Sequence, residues 1–132
     1  MGFNILVCDD SALARKMARR SLPKGFAEAI YEVSNGMDAL EVLGHHTIDL
    51  VLLDLTMPVL GGLSVLSEIK RRQLETFVIV ISGDIQPIMQ EKVMSLGALG
   101  FIEKPIKREE LTLVLRRFGF ILPDTYKAPI AV

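Results

Sequence analysis

Asp9, Asp10 and Asp54 are the side chains in this chain of 132 residues whose type and placement point most directly to chemistry. Each sits at the end of an apolar run, Phe3-Asn-Ile-Leu-Val-Cys-Asp-Asp in one case and Asp49-Leu-Val-Leu-Leu-Asp in the other. Both runs read as buried parallel strands, and the carboxyl ends of such strands are where open α/β sheets bind ligands. Carboxylates gathered there repel by about 3 kcal/mol per pair at roughly 5 Å and an effective dielectric near 20, so a cation must fill the gap. A divalent metal is the natural candidate. Mg²⁺ suits hard oxygen donors, takes one or two carboxylates, keeps several waters and accepts a phosphate oxygen. An ionised Asp54 beside it could attack a phosphoryl group in line and form an aspartyl phosphate. Lys104, with the metal, would neutralise charge on the transferring oxygens, and Ser82 could donate a hydrogen bond to the product.

These residues have to be positioned by the intervening elements. Apolar runs of strand length alternate with segments of helical period, five of each, which predicts successive βα units and a parallel sheet. The first strand, residues 3 to 8, leads to Ser11 as an N-cap and a helix whose Leu13 and Met17, with Ala14, Ala18 and Leu22, recur at spacings of four. Arg15, Lys16, Arg19 and Arg20 are left for solvent. A second strand over 28 to 33 turns at Ser34-Asn35-Gly36 into a short helix ending near Gly44. The third strand runs from Asp49 to Asp54 and is followed by a long turn through Met57-Pro58 and Gly61-Gly62. The next helix carries Leu63, Leu66 and Ile69. The fourth strand, Phe77 to Ile81, ends at Ser82. Its helix presents Met89, Val93 and Leu96 and closes at Gly97. The fifth strand, Leu99 to Glu103, is broken by Lys104-Pro105, and Leu111, Val114 and Phe118 mark the last helix. Right-handed crossovers and a flavodoxin-like order of 2-1-3-4-5 would put the first and third strands side by side at the switch point, where all five polar residues converge.

Composition bounds the partners. With 15 basic and 16 acidic residues and a pI near 6.1, the chain has no electrostatic footprint for nucleic acid. No apolar run reaches the length of a membrane span, and Met1-Gly-Phe-Asn does not begin a signal peptide. The lone Cys8 lies in an apolar run and suits an inert core thiol in a reducing compartment, which favours the cytoplasm. His45-His46 reads as a solvated turn, since adjacent side chains rarely aim at one ion. Residues 119 to 132 are expected to form a short tail, too small for an effector domain, that packs in part through Phe120, Ile121 and Leu122.

Taken together, Asp9-Asp10, Asp54-Leu-Thr-Met57-Pro58 with Gly62, Ser82 and Lys104-Pro105 make residues 3 to 118 resemble the receiver domain of two-component response regulators, the CheY-like family. The resemblance implies a stand-alone receiver over residues 1 to 118, in which Asp54 accepts phosphate from a histidine kinase or a phosphotransfer protein. It implies that Asp10 and Asp54 ligate Mg²⁺ directly, Asp9 through water, and Thr56 through its backbone carbonyl. Ser82 would move toward the phosphoryl group and Phe101 turn inward, remodelling the surface of the fourth helix, fifth strand and fifth helix toward a downstream protein or a second copy. The Lys104-Pro105 bond is expected to be cis. Gly61 stands where receivers often have Asp, and Phe101 replaces a commoner Tyr, which removes a hydroxyl from the outward state.

Two other functions fit the same sheet. An aspartate-nucleophile phosphohydrolase usually has a second Asp two residues after the nucleophile, where this chain has Thr56, and commonly a cap for which there is no room. A nucleotide or flavin site would need a glycine-rich phosphate loop after the first strand, where this chain places two acids. A longer multidomain regulator, of which this is the receiver portion, remains compatible with the same residues.

Overall fold

The computed structural model describes residues 2–84 and 86–120. Five βα units follow one another: β1 (Phe3–Cys8), α1 (Ala12–Ser21), β2 (Ala27–Val33), α2 (Gly36–His45), β3 (Leu50–Leu53), α3 (Gly62–Arg72), β4 (Phe77–Ser82), α4 (Pro87–Ser95), β5 (Gly100–Glu103) and α5 (Arg108–Arg117). The strands form one parallel sheet in the order β2-β1-β3-β4-β5, the flavodoxin-like arrangement expected from the sequence.

Strand alternation splits the core in two. Leu6, Cys8, Val51, Leu53, Val78 and Val80 face α2, α3 and α4, whereas Ile5, Val7, Leu50, Leu52, Ile79 and Ile81 face α1 and α5. Both faces of β1 and β3 are covered, which is why their middles are apolar throughout. Side-chain caps start two of the helices, and a left-handed glycine ends a third. Ser11 caps α1 by accepting the Ala14 N–H at 3.1 Å, Asn35 caps α2 by accepting the Asp38 N–H at 2.8 Å, and Gly97 leaves α4 at φ 97°.

Two helices turn differently from the reading of their spacing. In α1 it is Ala18 and Ser21, followed by Leu22, that are buried, while Leu13 is 66 % and Met17 36 % exposed. Ala18 and Leu22 go to the core as expected and Ala14 is half-buried, whereas Leu13 and Met17 turn outward. In α5 the buried positions are Leu111, Thr112 and Leu115. Phe118, 42 % exposed, lies beyond the last helical residue. The aromatic that does go inward is Phe120. Its N–H donates to the Leu115 carbonyl at 3.0 Å and the Gly119 N–H to Arg116 at 3.1 Å, reversing the chain at Gly119, where φ is 87°. Phe120 then packs on Phe3, Phe26 and Phe77 with ring centroids 5.2 to 5.8 Å away. Ile121 and Leu122, also expected to pack, lie outside the described residues.

The β3–α3 loop is built around close approaches. A Cβ on Gly62 would sit 2.3 Å from the Asp54 carbonyl oxygen, and one on Gly36 2.1 Å from that of Leu60. Between them the Leu60 N–H donates to the Pro58 carbonyl at 2.7 Å, and Val59, at φ 68° and 80 % exposed, forms the centre of a γ-turn that is strained for a β-branched residue. No helix among the described residues is long and apolar enough to cross a membrane.

Candidate functional site

Strand register brings the acids together. Cys8 pairs with Leu53, so the residues that follow, Asp9 and Asp54, emerge side by side, and the Asp54 N–H donates to the Cys8 carbonyl at 2.9 Å. Both are buried, whereas Asp10, one residue further along, is exposed and has no hydrogen-bond or ion-pair partner among the described residues. One carboxylate oxygen from each of the three can be chosen so that all lie within 4.8 Å of one another. That donor set, all hard oxygens, fits a magnesium-sized dication.

Lys104 arrives from the other side. Ser82 pairs with Glu103, and the Lys104 N–H donates to the Ser82 carbonyl at 2.9 Å, so the chain leaves β5 at the level where β4 ends. The Lys104–Pro105 peptide is cis. From there the ammonium reaches back to Asp9 Oδ2 at 2.8 Å and Asp54 Oδ1 at 3.1 Å. Charge repulsion calls for a cation among the carboxylates, and the protein supplies one of its own.

Asp9 is held at every polar atom. Its N–H donates to the Val33 carbonyl at 3.1 Å, its Oδ1 accepts the Ser11 N–H at 2.9 Å, and its carbonyl accepts from Arg15 Nη1 at 2.8 Å. The sequence reading left Arg15 to solvent; the structure half-buries it and pairs its Nε with Glu32 at 3.3 Å. Helical spacing carried no signal for this contact, because the partner is a backbone carbonyl preceding the helix.

The other expected residues surround this group without joining it. The Ser82 hydroxyl is buried and accepts the Asp84 N–H at 3.0 Å, and Asp84 Oδ1 in turn accepts the Gln86 N–H at 3.1 Å. Its proton stays available for a further acceptor. The Thr56 side chain is exposed, and Phe101 is half-buried against the core on the α4 side of the sheet. Neither Ser82 nor Thr56 makes a side-chain bond to the acids. Beside Lys104 a cavity of about 380 Å³ opens between Leu13, Ala14 and Met17 of α1 and Pro105-Ile106.

Burial pushes the Asp54 carboxyl up from 3.8; the Lys104 hydrogen bond and charge oppose this, and the charges of Asp9 and Asp10 reinforce it. For Lys104 burial alone would lower the ammonium, but hydrogen bonds and charges from Asp9 and Asp54 outweigh it, so it stays protonated. The raised Asp54 value means that the folded protein takes up this proton before the unfolded chain does. Asp54 therefore reduces stability at neutral pH, and the penalty fades as pH falls toward 3.8. In metal-free buffer Asp54→Asn should be more stable than the parent at pH 7, with the gap closing on acidification. Urea unfolding at a series of pH values reads this, and a gap independent of pH would contradict it.

The family of the response regulator receiver domain matches residues 5–116. The chain belongs to that family. This receiver is 35 % identical to the chemotaxis protein CheY of Bacillus subtilis over 111 residues, covering 84 % of this chain and 92 % of the relative. Among solved structures, the NarL signal receiver domain of Mycobacterium tuberculosis superposes with a TM-score of 0.81 at 30 % identity, covering 89 % of this chain and 95 % of that one. The CheX–CheY–BeF₃–Mg²⁺ complex of Borrelia burgdorferi gives 0.75 at 28 % identity, covering 88 % and 89 %.

Proposed function

We propose that this receiver takes a phosphoryl group onto Asp54 from the phosphohistidine of a sensor kinase or phosphotransfer protein and, in response, alters the surface formed by α4, β5 and α5 toward a protein target. Residues 1 to 118 act as the receiver. A homodimer through the same α4-β5-α5 surface is the other form such an output could take. The observation that carries this reading is the convergence of Asp9, Asp10 and Asp54 with the ammonium of Lys104 at one sheet edge.

In the step itself an Asp54 carboxylate oxygen attacks phosphorus while the bond to the donor imidazole nitrogen breaks, its electron pair leaving with the nitrogen. Lys104, already 3.1 Å from the Asp54 Oδ1, stands ready to hold a phosphoryl oxygen. Ser82 has a hydroxyl proton to donate to another. Asp10 and Asp54 would hold Mg²⁺ directly, Asp9 through a water and Thr56 through its carbonyl, as the resemblance to receiver domains implies; the three carboxylates are close enough to share such an ion. Bound there, Mg²⁺ would supply positive charge against the transferring oxygens. The B. burgdorferi relative, described with BeF₃ and Mg²⁺, supports this assignment. Thr56 in place of a second Asp weighs against a turnover phosphohydrolase.

Incubation with labelled acetyl phosphate and Mg²⁺ should give at most one acid-stable, base-labile phosphate per chain, and none on Asp54→Ala. Label surviving on that variant, or forming equally well in excess chelator, would overturn the proposal. Multiple turnover of a phosphate ester would favour the hydrolase instead.

A further inference from the structure

We infer that Arg15 is a positioning residue for the metal-binding acids, acting through the peptide plane that joins Asp9 to Asp10; the inference rests on the Mg²⁺ site proposed above. Arg15 Nη1 donates to the Asp9 carbonyl at 2.8 Å. That carbonyl belongs to the peptide unit whose other end is the Asp10 nitrogen, so fixing its oxygen fixes the plane from which the Asp10 side chain departs. Asp10 needs such help. It is exposed and has no partner of its own among the described residues, while Asp9 is anchored at every polar atom.

The guanidinium is itself held. Its Nε pairs with Glu32 on β2 at 3.3 Å, with side-chain exposures of 21 % and 31 %, and Arg19 grips the same carboxylate. A planar fork can serve a carbonyl and a carboxylate at once, which a lysine ammonium on a flexible stem does less well. Glu32 also offsets the positive charge that Arg15 would otherwise bring toward an arriving dication. The arrangement therefore provides orientation with only part of the guanidinium's charge offset, since Glu32 is shared with Arg19.

Orientation and charge make opposite forecasts, and this decides the test. Removing a cation near a metal site should tighten Mg²⁺ binding by Coulomb attraction alone. Losing a group that orients the ligands should weaken it, by about tenfold at the low end of what outer-sphere partners contribute. Calorimetric titration of the full chain with MgCl₂, without phosphodonor, is read on the parent, Arg15→Met, Arg15→Lys and Lys16→Met, each shown to be folded by urea unfolding. Arg15→Met should bind about tenfold more weakly, Arg15→Lys more weakly by a smaller factor, and Lys16→Met as tightly as the parent or slightly tighter. Equal or tighter binding by Arg15→Met, or an equal loss in Lys16→Met, overturns the inference. If Arg15→Met does not fold, Arg15→Lys decides, and unchanged affinity there overturns it. A parent that takes up no Mg²⁺ overturns the site itself, an outcome distinct from a parent that binds and an Arg15 variant that binds alike.

Discussion

Replacing Lys104 by methionine is expected to slow labelling of Asp54 by a small phosphodonor about 10²- to 10³-fold, the usual effect of removing one preorganised group from developing negative charge. The same change should destabilise the metal-free protein. The ammonium lies 2.8 Å from Asp9 and 3.1 Å from Asp54, and both acids are buried. Taking it away leaves two desolvated carboxylates without their counter-ion. Breaking a buried pair costs about 3–5 kcal/mol, but the Lys104 side chain is 31 % exposed and partly screened, so about 2 kcal/mol is the expected loss at pH 7. The raised lysine value places its own titration above 10.5, so this contribution is present throughout the neutral range and is lost only in strong alkali. Two readouts separate the roles. In urea unfolding, added Mg²⁺ should recover more stability in Lys104→Met than in the parent. Labelling, by contrast, should stay slow at saturating Mg²⁺. A variant that labels at the parental rate would remove Lys104 from the transfer step.

Gly36→Ala should be the most damaging of the single-methyl additions in α2. A Cβ there would meet the Leu60 carbonyl oxygen at 2.1 Å and the Leu60 Cβ at 2.8 Å. The obstacle is mostly backbone, so it cannot swing aside as a long side chain would. Either α2 withdraws from the sheet or the γ-turn at Val59 moves, and overpacking of this kind costs about 3 kcal/mol. For a chain of this length that corresponds to a Tm lower by roughly 10 °C. Gly44, near the other end of the same helix, provides the contrast: nothing lies within 4 Å of its Cβ position. Gly44→Ala should stabilise by about 0.5–1 kcal/mol through helix propensity alone. Equal effects at the two positions would show that contact with Leu60 does not govern Gly36.

The sheet order and the run of five βα units were legible because they depend on strong, redundant signals: apolar runs of strand length, glycine and proline punctuation, and helical stripes. The meeting of Asp9 and Asp54 followed from the same logic, since parallel strands that end in register place their next residues together. What spacing could not settle was how far round a helix its buried stripe extends. In α1 the spacing rightly sent Ala18 and Leu22 inward but took Leu13 and Met17 with them, and those two the structure leaves exposed. Phe118 misled for a related reason, because the chain reverses at Gly119 and the aromatic that returns to the core is Phe120. Contacts made to backbone atoms were silent as well. Neither the Arg15 bond to the Asp9 carbonyl nor the Ser82 bond to the Asp84 N–H leaves a mark on hydrophobic periodicity, and the space beside Gly36 is visible only once Leu60 is placed.

The division of the core by the sheet has a consequence for how damage accumulates. Among the described residues, the buried side chains facing α1 and α5 form one cluster and those facing α2, α3 and α4 another, with a layer of hydrogen-bonded backbone between them. Cavities opened on opposite sides, for instance by Leu115→Ala and Leu66→Ala, should therefore impose penalties that sum, whereas two on the same side should couple. The domain behaves as two thin hydrophobic compartments sharing a wall, and a lineage can renovate one without renegotiating the other.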